Sequence, residues 1–211
     1  VDGIILLTAY ENDLCIEYLS EEAFPFVVVG RPCNIHDIMW VDNDNFQATY
    51  NLVNTLIQKG CQDIAFIGGP QKYIFSKDRL EGYKRSMELR NLTVHDALIK
   101  ETNDFTEEDG YEAMRDICNY KVPHAVVTTD DLLGFGALKY ARENHLSVKV
   151  TGFNNISLSE YQTPPLTSVD IKAEDLGYNA AKLLIRSLEG FENTVNHYIV
   201  GTELVERAST K

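Results

Sequence analysis

The chain is short of several things, and each shortage removes a class of function. Basic residues are outnumbered, with 19 Lys and Arg against 32 Asp and Glu, so the formal charge is −13 over 211 residues. A surface this acidic repels phosphate, which makes the polypeptide itself a poor partner for nucleic acid or an anionic membrane. No apolar run approaches the ~20 residues that a helix needs to cross a bilayer, and no signal-peptide pattern opens the chain. Cys15, Cys33, Cys61 and Cys118 lie far apart, with no CxxC and no Cys/His cluster. They read as free thiols in a reducing compartment and argue against a bound metal. The cytoplasm is the expected location. Catalytic signatures are missing as well. There is no HExxH and no GxSxG, the histidines are scattered, and Gly68-Gly69-Pro70 lacks the Lys-Ser/Thr of a phosphate loop. Gly134-Phe135-Gly136 sits inside a helical pattern and not in the turn after a strand, so close packing explains it better than a dinucleotide. Nothing supplies a nucleophile, and neither an enzyme nor a cofactor is expected.

What is present is ordinary globular composition, 44% hydrophobic and 24% charged, enough for one large domain or two small lobes. The chain opens at Val1 on a buried-strand pattern with no preceding cap, so a further N-terminal portion is expected. Apolar runs at 25–30, 38–41, 63–67, 98–99, 125–129, 150–153, 167–171 and 198–205 read as strands. Helical spacing lies between them. Phe46, Tyr50, Val53 and Ile57 share one face of a helix that Gly60 is placed to end. Further helices are expected near 12–20 and 76–89. Thr106 with Asp109 resembles a capping box opening a helix to about 119. Leu176, Ala180, Leu184 and Leu188 share a face over 175–188. Alternating strands and helices imply parallel sheets covered on both faces. No low-complexity linker appears, so two lobes would be joined by tight crossovers.

In open α/β sheets, ligands sit beyond the carboxyl ends of the strands. The run AVVTTDDLLGFGALKYAR at 125–142 places Asp130 and Asp131 at such an end, where they serve as helix caps, as ligand contacts, or as one of each. Arg79 follows the Gly-Gly-Pro turn, and Asn154 follows Gly152-Phe153. A guanidinium fork, a carboxylate and an amide suit a polyhydroxylated ligand; the alternative is satisfied turn residues. Trp40, Phe105, Tyr73 and Phe75 are either aromatic platforms for a sugar ring or core packing.

Several phrases resemble the LacI/GalR family of sugar-responsive repressors, in the family's order and over nearly the whole chain. They are VDGIIL at 1–6, GCQDIAFIGGP at 60–70, DRLEGY at 78–83, NDFTEEDGY at 103–111 and VVTTDDLLGFGAL at 126–138. To these are added TGFNNISLSEYQTPPLTSVDI at 151–171, EDLGYNAAKLLI at 174–185 and TELVERAST at 202–210. The resemblance implies an α/β fold of two Rossmann-like lobes with parallel sheets, of the periplasmic-binding-protein type, with the effector in the cleft. The helix-turn-helix headpiece and the first strands of lobe one would lie outside this sequence. Crossovers are implied near Val41-Asp42, after Pro165 and near Asn193. The N-terminal lobe would then hold 1–42 and 166–193, and the C-terminal lobe 43–165 and 194–211.

Position by position, Arg79, Phe105, Asp130 and Asn154 match the family's sugar contacts on the second lobe. Gly30, Arg31, Trp40 and Asp42 match contacts at the edge of the first, and Tyr73 and Phe75 would add stacking surface. Asp130 is then the sugar-facing acid and Asp131 the cap, while Phe135 and Tyr161 match dimer contacts. The family usually has Asn-Asp where this chain has Asp130-Asp131, and Asp where it has Asn154. It also has a longer loop near Val148. The implied function is a sugar effector, maltose or another α-glucoside, controlling how a homodimer binds operator DNA through the headpiece. A coupling of about 1–3 kcal/mol is typical of such switches. The alternatives are a transport or chemotaxis sugar-binding protein, or a catabolite-control regulator corepressed by a phosphoprotein.

Overall fold

A computed structural model describes residues 1–33, 37–191 and 195–211. Its elements run β1 (Ile4–Leu6), α1 (Leu14–Glu21), β2 (Phe26–Val29), β3 (Met39–Asn43), α2 (Asn45–Gln58), β4 (Ile64–Gly68), α3 (Ile74–Leu89) and β5 (Ile99–Glu101). They continue with α4 (Glu107–Tyr120), β6 (Ala125–Thr128), α5 (Asp131–Glu143), β7 (Lys149–Asn154), β8 (Thr167–Asp170), α6 (Ala173–Leu188), β9 (His197–Val200) and β10 (Glu203–Val205). The chain divides into two units. The first takes 1–44, 72–75 and 171–201, and the second takes 45–71, 76–170 and 202–211.

The first unit is a parallel sheet in the order β1-β2-β3-β9. Side chains alternate across a strand, so each strand feeds two cores. Val28 packs with Ile16 and Leu19 of α1, whereas its neighbour Val27 packs with Leu176, Ala180 and Leu183 of α6. This two-sided burial is why β2 reads as an unbroken apolar run. Asp13 caps α1 by accepting from the N–H groups of Cys15 and Ile16. Asn43 Nδ2 ties three segments together by donating to the carbonyls of Ile171 at 3.0 Å and Val200 at 2.9 Å.

The second unit is a six-stranded sheet in the order β10-β8-β7-β6-β4-β5, parallel except for the β10–β8 pair. Its main core joins Ile67, Val126 and Val150 of the sheet to Met114, Ile117 and Leu133 of the helices. Helices α4 and α5 approach closely through two glycines. A Cβ added to Gly110 would lie 2.2 Å from the Leu133 carbonyl oxygen, and one added to Gly136 would lie 2.0 Å from that of Glu107. The glycines of the Gly-Phe-Gly run are thus packing residues, as their helical position suggested. Thr106 caps α4 and accepts from the Asp109 N–H.

The boundaries differ from those implied by the resemblance. The first lies between 44 and 45, because β3 extends to Asn43. Residues 166–170 stay with the second unit because β8 pairs with β7 and β10. Residues 72–75 join the first through an antiparallel bridge between Tyr10 and Tyr73. The single strand expected over 198–205 is two: β9 pairs with β3, and β10 pairs with β8. Residues 194–211 therefore do not all return to the second unit. The crossover expected near Asn193 lies outside the described residues. Among the described residues, no helix is long and apolar enough to cross a membrane.

Candidate functional site

In the second unit, the carboxyl ends of β4, β6 and β7 gather Arg79, Asp130 and Asn154. Asp130 is the N-cap of α5, with Oδ1 accepting from the Leu132 N–H at 2.7 Å. Its other oxygen, Oδ2, accepts from Asn154 Nδ2 at 2.8 Å. Asp131, expected as the cap, is instead fully buried. It accepts from Ser168 Oγ at 2.6 Å and from the Ile156 N–H at 2.8 Å, pinning α5 to β8 and to the turn after β7. A side chain at Gly152 would collide with it, since a Cβ there would lie 2.1 Å from Asp131 Oδ1. Cap and contact are therefore not divided between the two acids; Asp130 holds the capping role and the strand-end position together.

Burial pushes the Asp130 carboxyl up to about 6, the charge of Asp131 adds to this, and the Leu132 N–H and Arg79 oppose it. Burial also raises Asp131, against its hydrogen bonds from Ser168 and Ile156. Asn154 adopts φ +100° and Asn155 φ +54°. Two successive non-glycine residues on that side of the map are costly, and such strain concentrates at functional positions.

Arg79 is 4% exposed. Its Nε donates to Asn45 Oδ1 at 2.9 Å and its Nη1 to the Thr129 carbonyl at 2.6 Å. The guanidinium lies over the Phe153 ring, 3.6 Å from the centroid. This is a cation held flat by a ring and fixed by two acceptors, a rigid donor fork. Phe105 closes over the β4 turn, where a Cβ on Gly69 would come within 2.0 Å of its ring. The four second-unit residues expected from the sequence thus share one end of one sheet.

The first-unit residues fall into three groups. Gly30, at φ +122°, donates its N–H to the Val41 carbonyl at 2.8 Å. Next to it, Asp42 accepts from the N–H groups of Arg31 at 2.9 Å and Asn43 at 2.7 Å. Tyr73 and Phe75 form an aromatic row with Tyr10: the Tyr10–Tyr73 centroids are 5.0 Å apart and the Tyr73–Phe75 centroids 5.4 Å. Trp40 belongs with neither group. It is the second residue of β3, packs on the core that includes Val28, and stacks on His197 at 4.5 Å.

Of the expected dimer contacts, Tyr161 is 74% exposed, whereas Phe135 is 4% exposed and packed in the main core. Phe135 is corrected to a core residue, because an interface cannot use surface its own chain already covers. Sequence reasoning missed Asn45, which positions Arg79, and Tyr10, which extends the aromatic row. Both lie on the segments that follow strands, Tyr10 after β1 and Asn45 at the start of α2 after β3, and that position was the available signal. Among the described residues there is no group of three or more side chains able to hold a metal ion.

The comparisons bear on this geometry. The family profile of the periplasmic binding protein-like domain matches residues 53–210. The HTH-type transcriptional regulator MalR of Streptococcus pneumoniae serotype 4 is 34% identical over 198 residues, which are 92% of this chain and 58% of that protein. CelR of Thermobifida fusca, another HTH-type transcriptional regulator, is 30% identical over 217 residues, 99% of this chain and 63% of that protein. The chain thus spans about three-fifths of the length of these curated relatives. Among solved structures, a regulatory protein of LacI family from Chloroflexus aggregans superimposes with a TM-score of 0.92 at 30% identity, over 99% of this chain and 76% of that one. A transcriptional regulator CelR–cellobiose complex gives 0.93 at 30% identity, over 99% and 66%. Doubly wound units with polar side chains at the carboxyl ends of parallel strands define a periplasmic-binding-protein-like ligand core. The chain belongs to the LacI family and corresponds to its effector-binding core. These relatives are transcription regulators, not enzymes.

Proposed function

We propose that this chain is the effector-binding and dimerisation core of a cytoplasmic, sugar-responsive transcription regulator, and that its effector is a glucose disaccharide. The observation carrying the proposal is the second-unit constellation: the Arg79 fork on Phe153, with Asp130 hydrogen-bonded to Asn154 beside it. Donors, acceptors and ring faces at one sheet end match alternating hydroxyl and C–H surfaces of a sugar. Phe105 supplies a ring, and Gly30, Arg31, Asp42, Tyr73 and Phe75 are proposed as sugar contacts of the first unit. Maltose is the favoured effector, supported by the similarity to MalR. Cellobiose is the competing disaccharide, since a structural neighbour is a CelR–cellobiose complex. Sugar binding would shift a two-state equilibrium of a homodimer, with Tyr161 at the contact, and so set its affinity for operator DNA.

Calorimetric titration of the protein and its Arg79→Lys variant with maltose and cellobiose tests this. Lysine keeps the charge but loses the planar fork. Affinity for the bound disaccharide should fall tenfold or more, about the worth of one charge-assisted hydrogen bond. Unchanged affinity would refute the site, and no heat from either sugar would refute the effector class.

A further inference from the structure

The second unit's sheet has two ends, and the candidate sugar residues occupy only the carboxyl end. Beside its amino end lies a cavity of about 460 Å³, within the ~300–1,000 Å³ range of small-molecule sites. Its walls come from the turn after α2, the residue before β6, the end of α5 with its following turn, the first residue of β7 and the turn at 208–211. The side chains of Lys59, His124, Arg142, Lys149 and Lys211 line it, and no Asp or Glu side chain does. In a chain of net charge −13, this gathering of one sign runs against the surface as a whole.

The engagements of these bases differ, and they leave Arg142 and Lys211 as exposed cations of the cavity. Lys149 Nζ donates to the main-chain oxygens of Thr210 and Lys211, both at 3.1 Å. His124 Nδ1 accepts from the N–H groups of Gln62 at 3.3 Å and Asp63 at 3.1 Å. In the neutral ring this puts the proton on Nε2, a free donor direction. The nearby Asp63 carboxylate is shared with Lys121, 2.6 Å away. Lys59 is paired with the Glu206 carboxylate. Arg142 is exposed, and its guanidinium has no partner among the described residues. Helix C-termini attract one cation each, which accounts for Lys59 and Arg142. It does not account for Lys149 at the start of a strand, nor for His124 and Lys211.

We infer that this cavity is a second ligand site, for a small phosphorylated anion. A phosphate group presents acceptor oxygens on all sides, which suits several ammonium groups and a guanidinium fork converging from different walls. The position at the amino end of the strands makes the site separate from the sugar residues, so its occupancy is measurable on its own.

The test is calorimetric titration with inorganic pyrophosphate at ~0.1 M salt, where screening suppresses diffuse surface binding. Arg142→Glu and Lys211→Gln are the variants, because both side chains are exposed. Pyrophosphate should bind the unaltered protein, at least about tenfold more weakly to Arg142→Glu, and with a smaller loss to Lys211→Gln, at unchanged melting temperature. Parallel titrations with fructose 1,6-bisphosphate and adenosine diphosphate separate the two sources of such a group; tighter binding of either supports the site and names its class. Absence of binding by all three compounds, or equal binding by wild type and both variants, would overturn the inference.

Discussion

The two units solve the same problem differently. In the first, Gly30 donates its N–H to the Val41 carbonyl, and the Asp42 carboxylate accepts from the N–H groups of Arg31 and Asn43. Its additional surface is an aromatic row of half-exposed rings. In the second, the strand-end side chains are themselves the scaffold. Asp130 caps a helix, Asp131 pins it to two other segments, and Arg79 is buried between two acceptors and a ring. Altering the proposed second-unit ligand residues should therefore cost more stability than altering the proposed first-unit ones.

The largest effect is expected for Asp131→Ala. It leaves the Ser168 hydroxyl and the Ile156 N–H without their acceptor in a fully buried place. We expect a loss of roughly 2–5 kcal/mol in chemical denaturation. The matching first-unit change, Asp42→Ala, removes the acceptor of the Arg31 and Asn43 N–H groups and should cost about 1–2 kcal/mol. Equal losses would show that the two units are not built differently. Arg79→Ala comes next, at about 2–3 kcal/mol, because it strands Asn45 Oδ1 and the Thr129 carbonyl and uncovers Phe153. Arg79→Lys should lower sugar affinity with a much smaller stability loss.

The pH dependence sharpens the same point. The Asp130 carboxyl titrates near 6 in the folded protein, against about 3.9 in an unfolded chain. Between those values the folded state holds the extra proton, so stability contributed at low pH is lost as pH rises through the window. Asp130→Asn should abolish that slope and leave the protein about 1–3 kcal/mol more stable above pH 6. Denaturation at pH 4.5 and 7.5 checks it; the gain should be about threefold larger at the higher pH.

This arrangement explains how far the residues could be read in advance. Alternating apolar runs and helical spacing gave the strand and helix order, since burial on both faces leaves a direct mark in sequence. The Thr106 cap and the helical glycines were also legible, being local. What was not legible was which segments pair across long separations. The run at 198–205 looks like one strand, yet Gly201 and Thr202 divide it between two sheets. Nor could adjacent acids be told apart, because the roles of Asp130 and Asp131 depend on Asn154, Ile156 and Ser168, 24–37 residues away along the chain. Phe135 matched a family contact, but its exposure depends on how its own helix packs.

On the first unit smaller effects are expected, and they complete the contrast. Tyr73→Ala removes one ring of a row whose members are partly solvent-exposed. Sugar affinity should fall by about threefold to tenfold, the worth of one aromatic contact, with little change in melting temperature. Trp40, the sole tryptophan, should respond least of all. It lies near the amino end of β3, against a packed core and the His197 ring, whereas the first unit's candidate contacts follow the carboxyl ends. Its emission maximum should stay fixed during a maltose titration that is saturating by calorimetry. A clear shift would mean that the first unit rearranges its core on binding and is not the more forgiving of the two.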